Sequence, residues 1–246
     1  ALPPSYVQVK QDAPQWFYPG GGWLNPTELV RHCLSHPSIT FQPHAAVHAL
    51  RREGRMWRAL DAQGRTIATS AQVLLCNAAD ARRLLDGLHS EDDLQSGKTE
   101  CMADNTPWPT EVQRGQITHL SSHTPGLQAP VQPMTGGGYA LRLKDGSVLC
   151  GASASVNDEF TELRASDQDD NIAKLNRLMN TQVDARTCDL QGRVGWRFHT
   201  DDRLPIAGPV PARIAPGSQP TRAREIALIP GLYLCTALAS RGITWA

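Results

Sequence analysis

The stretch from Ala46 to Ala78 constrains the fold most, because it repeats short alternating runs of apolar and polar residues. These runs are broken at Glu53-Gly54 and Gln63-Gly64, and a continuous apolar run, Val73 to Cys76, follows them. Alternation with a period of two is typical of half-buried strands, and the glycine at each break indicates a tight turn. The pattern predicts a three-stranded antiparallel meander followed by a buried strand.

Two segments carry the helical period instead. Before the first, Asn25 can act as the N-cap, Pro26 suits the first helical position and Glu28 completes a capping box. Its apolar face consists of Leu29, Val30, Cys33 and Leu34, and the helix should end before Pro37. For the second helix we expect Ser166 as the N-cap. Its inward residues are predicted to be Ile172, Leu175 and Leu178.

The remaining segments read as strands and loops. Asp145-Gly146 predicts a hairpin turn, "GRVGWRFHTDDRLPIAG" a strand and a turn, and "IALIPGLYLCTAL" two strands split by Pro230-Gly231. Residues 1–22 form an edge segment ending in the glycine turn "YPGGGW", and residues 86–110 are rich in loop formers. Helices and mainly antiparallel strands in one chain predict an α+β fold.

Composition narrows the class of protein. With 246 residues and 40% hydrophobic side chains, the chain can bury one large core or two intertwined smaller ones. The formal net charge is zero, so any nucleic-acid contact must be local. Candidate basic clusters are Arg51, Arg52, Arg55 and Arg58; Arg82 and Arg83; and Arg222 and Arg224. No apolar run is long enough to span a bilayer, and the six scattered cysteines are interpreted as reduced thiols, so we expect a cytoplasmic protein without membrane contact.

Several apparent motifs do not support a site. The H-x-x-x-H pairs are His32/His36, His44/His48 and His119/His123, and none of them has the H-E-x-x-H pattern of a zinc site. We interpret these histidines as surface residues and predict no metal site. "GASAS" at 151–155 lacks the closing glycine of a nucleophile elbow. The "GGG" runs at 20–22 and 136–138 do not match G-x-G-x-x-G.

Four pieces in order carry a family resemblance: "GGWLNPTELVRHCL", "VLLCNAAD", "RGQITHL" with "GGGYALRLKDGSVLCGAS", and "GRVGWRFHTDDRLPIAG" followed by "GLYLCTALASRGITWA". Over nearly the whole chain they resemble the D-amino-acid-oxidase-like flavoproteins. The sequence is most similar to the FAD-dependent half of the bifunctional tRNA 5-methylaminomethyl-2-thiouridine biosynthesis family. The opening G-x-G-x-x-G unit and the last helix of this family are missing, so we expect a piece truncated at both ends. Whether this piece alone binds FAD stays open.

The resemblance implies a D-amino-acid-oxidase-like fold in which the flavin side is incomplete. It implies a partial FAD-binding layer from residues 23–110 and 191–246. A substrate domain with a mainly antiparallel sheet would comprise 111–190, and residues 1–22 would form a substrate-side edge segment.

The resemblance also implies roles for individual residues. Arg197 matches the arginine that grips the substrate carboxylate, and Tyr139 matches a tyrosine that shares this task. Val47 matches a position whose backbone contacts the adenine end of FAD, and Asn77-Ala78 matches the end of a strand beside the cofactor, where the family more often has Ala-Gly. Phe198 replaces the usual proline after the arginine. The turn expected to lie against the flavin consists of Ala239, Ser240, Arg241, Gly242, Ile243 and Thr244, and the turn from Asp201 to Gly208 is expected to shape the pocket.

The implied activity is the FAD-dependent oxidative removal of a carboxymethyl group from an amine on the wobble uridine of tRNA, with glyoxylate released. A methyltransferase half that uses S-adenosylmethionine would complete the bifunctional enzyme. Two alternatives remain open: a glycine- or sarcosine-type amino-acid oxidase, and a cofactor-free module that binds tRNA or protein.

Overall fold

A computed structural model describes residues 18–88, 108–214 and 221–245. The helices are α1 (Pro26–Leu34), α2 (Asp80–Asp86), α3 (Ala165–Met179) and α4 (Gly242–Trp245). The strands are β1 (Ala49–Glu53), β2 (Met56–Leu60), β3 (Thr66–Ser70), β4 (Val73–Leu75), β5 (Thr110–Leu120), β6 (Met134–Gly136), β7 (Gly138–Arg142), β8 (Val148–Gly151), β9 (Ser155–Val156), β10 (Gln191–Thr200), β11 (Ile206–Pro211) and β12 (Leu228–Thr236). Helices accompany mainly antiparallel sheets, which confirms the α+β class.

The described residues divide into two compact units. The first contains residues 18–40 and 113–196, and the second contains 41–112 and 197–245. Residues 23–40 lie in the first unit by this division. The domain bounds 23–110, 111–190 and 191–246 stay a prediction. Within that unit the pKa of the Glu28 carboxyl in α1 lies below its ordinary value. The main cause is the hydrogen bond and charge of Arg31, and the charge of Lys144 makes a smaller contribution. Most of the edge segment 1–22 and of the loop 86–110 lies outside the described residues.

One sheet with the strand order β10-β5-β8-β7-β6 forms the centre of the first unit, and β9 adds to the beginning of β5. The β7–β8 hairpin turns at Asp145-Gly146 as predicted, with Gly146 at φ +84°. Helix α3 packs on this sheet. Ile172 and Leu175 are buried in a core with Val148, and Leu178 is partly buried against the same core. The predicted inward face of α3 is therefore confirmed.

The predicted cap of α3 is wrong. Arg164, in an extended conformation, is the N-cap residue, and its side chain makes no capping hydrogen bond. The side chain of Gln116 instead holds the backbone of this N-cap residue: its Oε1 accepts from Arg164 N at 2.9 Å, and its Nε2 donates to Arg164 O at 2.9 Å. This contact joins residues far apart in the sequence. Ser166 consequently lies inside the first turn rather than before it.

Helix α1 starts as predicted. Asn25 Oδ1 accepts from Thr27 N at 2.9 Å and from Glu28 N at 3.4 Å, and Pro26 occupies the first helical position. None of its residues is buried, however. Leu29 and Leu34 are half-buried, whereas Val30 and Cys33 are exposed.

The second unit contains the predicted meander and a second sheet. Strands β1, β2 and β3 pair in antiparallel order, which confirms the meander. Strand β12 lies between β11, with which it pairs antiparallel, and β4, with which it pairs parallel. A shared core connects these elements; its buried members include Leu50, Trp57, Leu75, Leu84, Leu85, Val210, Ile229 and Leu232.

Strand β12 is continuous, so the predicted split at Pro230-Gly231 is wrong. Gly231 adopts φ +75° within the strand. A Cβ atom at this position would lie 2.4 Å from Ala71 O, so glycine permits a close approach of two backbones. The indole Nε1 of Trp57 donates to Pro230 O at 3.1 Å. The chain therefore bends locally and continues the strand instead of leaving the sheet.

Candidate active site

The candidate site begins at the edge where two parallel strands end. In β4 and β12, Leu75 is paired with Leu234, so the segments after both strands emerge at the same edge of the sheet. Asn77 and Ala78 follow β4, and Ala239 follows β12. Ligands of open α/β sheets bind at the carboxyl ends of parallel strands. The structure therefore brings two groups of the predicted cofactor residues to one sheet edge.

Three alanines at this edge have left-handed backbone conformations: Ala78 at φ 52°, Ala237 at φ 59° and Ala239 at φ 51°. A left-handed conformation costs an L-residue with a Cβ atom about 1–2 kcal/mol. Such backbone strain clusters at ligand-binding sites. It also explains why glycine is suited to the position of Ala78.

The predicted cofactor turn after β12 is fixed to strand β10. Ala239 N donates to Phe198 O at 3.1 Å, and an antiparallel bridge joins Leu238 to His199. Arg241 N donates to Leu238 O at 3.0 Å, which closes the turn. Helix α4 then begins at Gly242.

The outer part of this turn faces away from the protein core. Ser240, Arg241 and Ile243 are exposed, and the side chain of Thr244 lies outside the described residues. A Cβ atom at Gly242 would meet Leu238 Cβ only at 3.8 Å, which is ordinary van der Waals contact. The packing of the described residues therefore does not itself require glycine at this position.

Arg197, the predicted carboxylate-binding residue, lies in β10 immediately before Phe198. It is half-buried. Among the described residues its guanidinium forms no hydrogen bond or ion pair. A planar guanidinium with free N–H groups suits a carboxylate, which it can bind through two parallel hydrogen bonds.

Val47, the predicted adenine contact, is held next to helix α2 by a residue that the sequence analysis did not assign to the site. Arg83 Nη1 donates to His48 O at 2.7 Å, and Arg83 Nη2 donates to Val47 O at 3.2 Å. Arg83 Nε also donates to Asp80 Oδ1 at 2.9 Å, and this hydrogen bond holds the pKa of the Asp80 carboxyl below its ordinary value. Asn77 Nδ2 lies 3.5 Å from Asp80 Oδ2. The Asp80–Arg83 pair thus connects Val47 to the end of β4, and its i,i+3 spacing was the available sequence signal.

Tyr139 belongs to the first unit. It lies in β7, is half-buried and is paired across the sheet with Thr135 and Gly151. Arg197, by contrast, belongs to the second unit. The role of Tyr139 stays a prediction.

Three buried polar side-chain atoms of the second unit have no hydrogen-bond partner in the described part of the chain: Arg52 Nε in β1, and His199 Nε2 and Thr236 Oγ1 beside the candidate site. His199 and Thr236 are each 2% exposed. Buried polar groups are nearly always hydrogen-bonded, so unpaired ones indicate a missing ligand group. Thr236 Oγ1, the backbone of the turn at Ala239 and the guanidinium of Arg197, which has no partner among the described residues, fit a polar planar group with hydrogen-bond donors and acceptors, as in the ring of FAD. His199 Nε2 is not assigned to this group.

The candidate metal ligands are the histidines of the H-x-x-x-H pairs. Within residues 18–88, 108–214 and 221–245, no three histidine, cysteine or acidic residues cluster in a way that could hold a metal ion. His119 Nε2 lies 2.8 Å from Ser147 Oγ, and His123 is exposed. None of the helices among the described residues has the length and hydropathy needed to cross a membrane.

The sequence model of the DAO family, described as FAD dependent oxidoreductase, matches residues 4–246. The chain belongs to this FAD-dependent oxidoreductase family. The resemblance inferred from the four sequence pieces, and the assignment as an oxidoreductase, are thereby confirmed.

One relative of this oxidoreductase chain is the tRNA 5-methylaminomethyl-2-thiouridine biosynthesis bifunctional protein MnmC of Methylibium petroleiphilum. The two are 38% identical over 241 residues, which cover 94% of this chain and 35% of the relative. The chain therefore spans about one third of the length of that protein.

Solved structures show the same fold. Iminodiacetate oxidase (IdaA) of Chelativorans sp. BNC1 matches 80% of this oxidoreductase chain and 44% of its own, with a TM-score of 0.51 and 22% identity. The L-alpha-glycerophosphate oxidase of Mycoplasma pneumoniae, solved with FAD bound, matches 80% of this chain and 46% of its own, with a TM-score of 0.54 and 12% identity. The predicted D-amino-acid-oxidase-like fold is therefore confirmed.

Proposed function

We propose that this chain is the FAD-dependent part of a bifunctional enzyme that modifies the wobble uridine of tRNA. Its reaction would be the removal of the carboxymethyl group from 5-carboxymethylaminomethyl-(2-thio)uridine, which leaves the 5-aminomethyl form. The family assignment and the 38% identity to the MnmC protein support this proposal. The observation that carries it is the uncommitted guanidinium of Arg197 beside the turn at Ala239.

The proposed reaction begins with a secondary amine that carries a CH₂–COO⁻ group. FAD, when bound, supplies a two-electron acceptor for the hydride that leaves this CH₂ carbon. The resulting C=N bond is hydrolysed, so that water supplies the oxygen of glyoxylate and the nitrogen remains on the uridine as a primary amine. Electrons and atoms balance without a metal ion.

The residues of this chain would bind and orient the reactants. Arg197 would hold the carboxylate through two hydrogen bonds, which fixes the CH₂ group in one orientation. Tyr139 would share the carboxylate. The cofactor would be held by the backbone at Val47, by Asn77-Ala78, and by the turn of residues 239–244.

The same proposal includes the remaining partners. S-adenosylmethionine would serve a methyltransferase half that then methylates the primary amine. The tRNA would contact local basic surface, since the chain carries no net charge. A wobble-uridine enzyme of this kind would work in the cytoplasm.

The test uses the natural protein that contains this sequence, with tRNA carrying the 5-carboxymethylaminomethyl group. We expect glyoxylate release, bleaching of the flavin absorbance and formation of the primary amine by mass spectrometry. Arg197→Ala should reduce glyoxylate release by about 100-fold, because a charge-assisted bidentate contact is lost. Arg193→Ala, on the same strand and exposed, is the matched control.

Three results would contradict the proposal. Arg197→Ala with the activity of the Arg193→Ala control would remove the assigned role of Arg197. Peroxide formation from free glycine without tRNA would instead indicate an amino-acid oxidase. A protein that binds tRNA tightly yet takes up no FAD would indicate a binding module.

A further inference from the structure

His199 is a buried imidazole for which the proposed function has not yet given a role. It is 2% exposed, and it lies on β10 two residues after Arg197. Residues i and i+2 of a strand share one face and are about 6.6 Å apart along the chain. The face that presents the Arg197 guanidinium therefore also carries the His199 imidazole.

The hydrogen bonds of His199 indicate the state of its ring. Nδ1 lies 3.2 Å from Thr200 O, and a carbonyl oxygen only accepts hydrogen bonds. Nδ1 must therefore carry the proton. In the neutral ring Nε2 then presents a lone pair, and this atom is buried without a partner among the described residues. Among the described residues, this acceptor therefore has no donor that matches it.

The position of His199 relates this acceptor to the proposed substrate. The bridge from His199 to Leu238 and the hydrogen bond from Ala239 N to Phe198 O fix this part of β10 to the predicted cofactor turn. The proposed substrate joins its carboxylate to an amine nitrogen through a single CH₂ group. A carboxylate held by Arg197 would place the amine N–H group within a few ångströms along the same strand face.

We propose that His199 Nε2 accepts a hydrogen bond from the amine nitrogen of the substrate, and that His199 thereby determines specificity for an amine over an ether. This inference rests on the proposed function, since the substrate class comes from it. Arg197 would recognise the carboxylate and His199 the nitrogen, so that both ends of the carboxymethylamine group are bound.

The test measures binding without turnover. The natural protein is loaded with FAD, which is then chemically reduced under exclusion of oxygen. Two anticodon stem-loop RNAs are titrated: one carries 5-carboxymethylaminomethyluridine at the wobble position, and the other has an ether oxygen in place of the amine N–H. His199→Phe should weaken binding of the amine RNA by about 2- to 10-fold and leave the ether RNA unchanged, because one hydrogen bond is lost.

Further variants separate a binding role from a structural one. His199→Gln offers an amide oxygen near the position of Nε2 and should restore part of the preference for the amine RNA. His123→Phe, at an exposed histidine, should leave the ratio of the two affinities unchanged. In wild-type protein labelled with ¹⁵N-histidine, the Nε2 resonance of His199 should shift with the amine RNA and stay in place with the ether RNA. This last measurement uses only the wild-type protein, so it does not depend on whether a variant folds.

The possible failures can be distinguished. The inference would be overturned if His199→Phe weakened the binding of both RNAs equally and the Nε2 resonance did not shift when either RNA bound. These results would show that His199 has a structural role. Loss of FAD with an unchanged affinity ratio would place the donor on the cofactor and overturn it as well. If the wild-type protein releases glyoxylate but His199→Phe does not change the ratio of the affinities for the amine and ether RNAs, only this inference fails. If it releases none, the proposed function fails and this inference fails with it.

Discussion

The indole Nε1 of Trp57 donates a hydrogen bond to the carbonyl oxygen of Pro230 over 3.1 Å. This contact connects the meander to the central strand of the second sheet, across 173 residues of sequence. Trp57 is 1% exposed and lies in the core that both sheets share. A single side chain thus satisfies a backbone carbonyl at the bend of β12 and fills the core beneath it.

Trp57→Phe should therefore destabilise the chain by more than the smaller ring volume alone would. The substitution removes the hydrogen bond to Pro230 O as well as part of the ring, and the lost hydrogen bond alone should lower the free energy of unfolding by about 0.5–1.5 kcal/mol. Urea denaturation followed by circular dichroism measures this loss. A change below about 0.5 kcal/mol would contradict the assigned hydrogen bond.

Gly231 and Gly64 form a matched pair for a test of the bend in β12. Both have φ +75°, but a Cβ at Gly231 would lie 2.4 Å from Ala71 O, whereas none of the described atoms lies within 4 Å of a Cβ at Gly64. Gly64→Ala should cost about 1–2 kcal/mol from the backbone conformation alone. Gly231→Ala should cost about 1–3 kcal/mol more, because the two backbones must separate. Equal losses of unfolding free energy would show that the close approach has no energetic weight.

The left-handed alanines at the candidate site should tolerate glycine. Ala78→Gly and Ala239→Gly relieve about 1–2 kcal/mol of backbone strain, and the more flexible unfolded chain offsets about 0.4–1 kcal/mol of this gain. We expect unfolding free energies that stay equal or rise by up to about 1.6 kcal/mol. Ala68→Gly, at an exposed position of β3 without positive φ, is the control and should lose about 0.5–1 kcal/mol. If Ala78→Gly lost as much unfolding free energy as Ala68→Gly, this would contradict backbone strain at Ala78.

The cysteines should react with iodoacetamide in a fixed order. Burial raises the pKa of the Cys150 thiol to about 12, so at pH 8 only about one molecule in 10,000 carries the reactive thiolate. Partial burial, and then the neighbouring Cys235, raise the pKa of Cys76. Cys33 is exposed. Peptide mapping by mass spectrometry should show labelling of Cys33 first, Cys76 next and Cys150 last, and 8 M urea should abolish the order.

Local signals in the sequence were sufficient for a large part of the fold. The turns at Glu53-Gly54 and Gln63-Gly64 define the meander, because each turn depends only on adjacent residues. Asn25 and Pro26 likewise define the start of α1. The start of α3 could not be predicted in this way, because its N-cap residue is held by Gln116, which is 48 residues away. The course of β12 at Gly231 also depends on distant groups.

The candidate site was predictable only through family resemblance. The sequence identifies Arg197, but it contains no sign that its guanidinium lacks a partner. The same holds for His199, whose importance follows from burial and from an unpaired nitrogen, both of which are properties of the folded chain. Arg83 was assigned to a basic cluster, yet the structure shows it bound to Asp80 and to two backbone carbonyls.

The discontinuity of the second unit has a consequence for synthesis on the ribosome. Its first part ends at residue 112 and its second part begins at 197, so 84 residues of the first unit are translated in between. At about 5–20 residues per second, this interval lasts about 4–17 s. During it the meander and β4 are complete, but Trp57 has no Pro230 to bind and Leu75 has no β12 to pair with. The nascent chain therefore exposes an apolar strand edge for seconds, and this is the stage at which a chaperone would protect it.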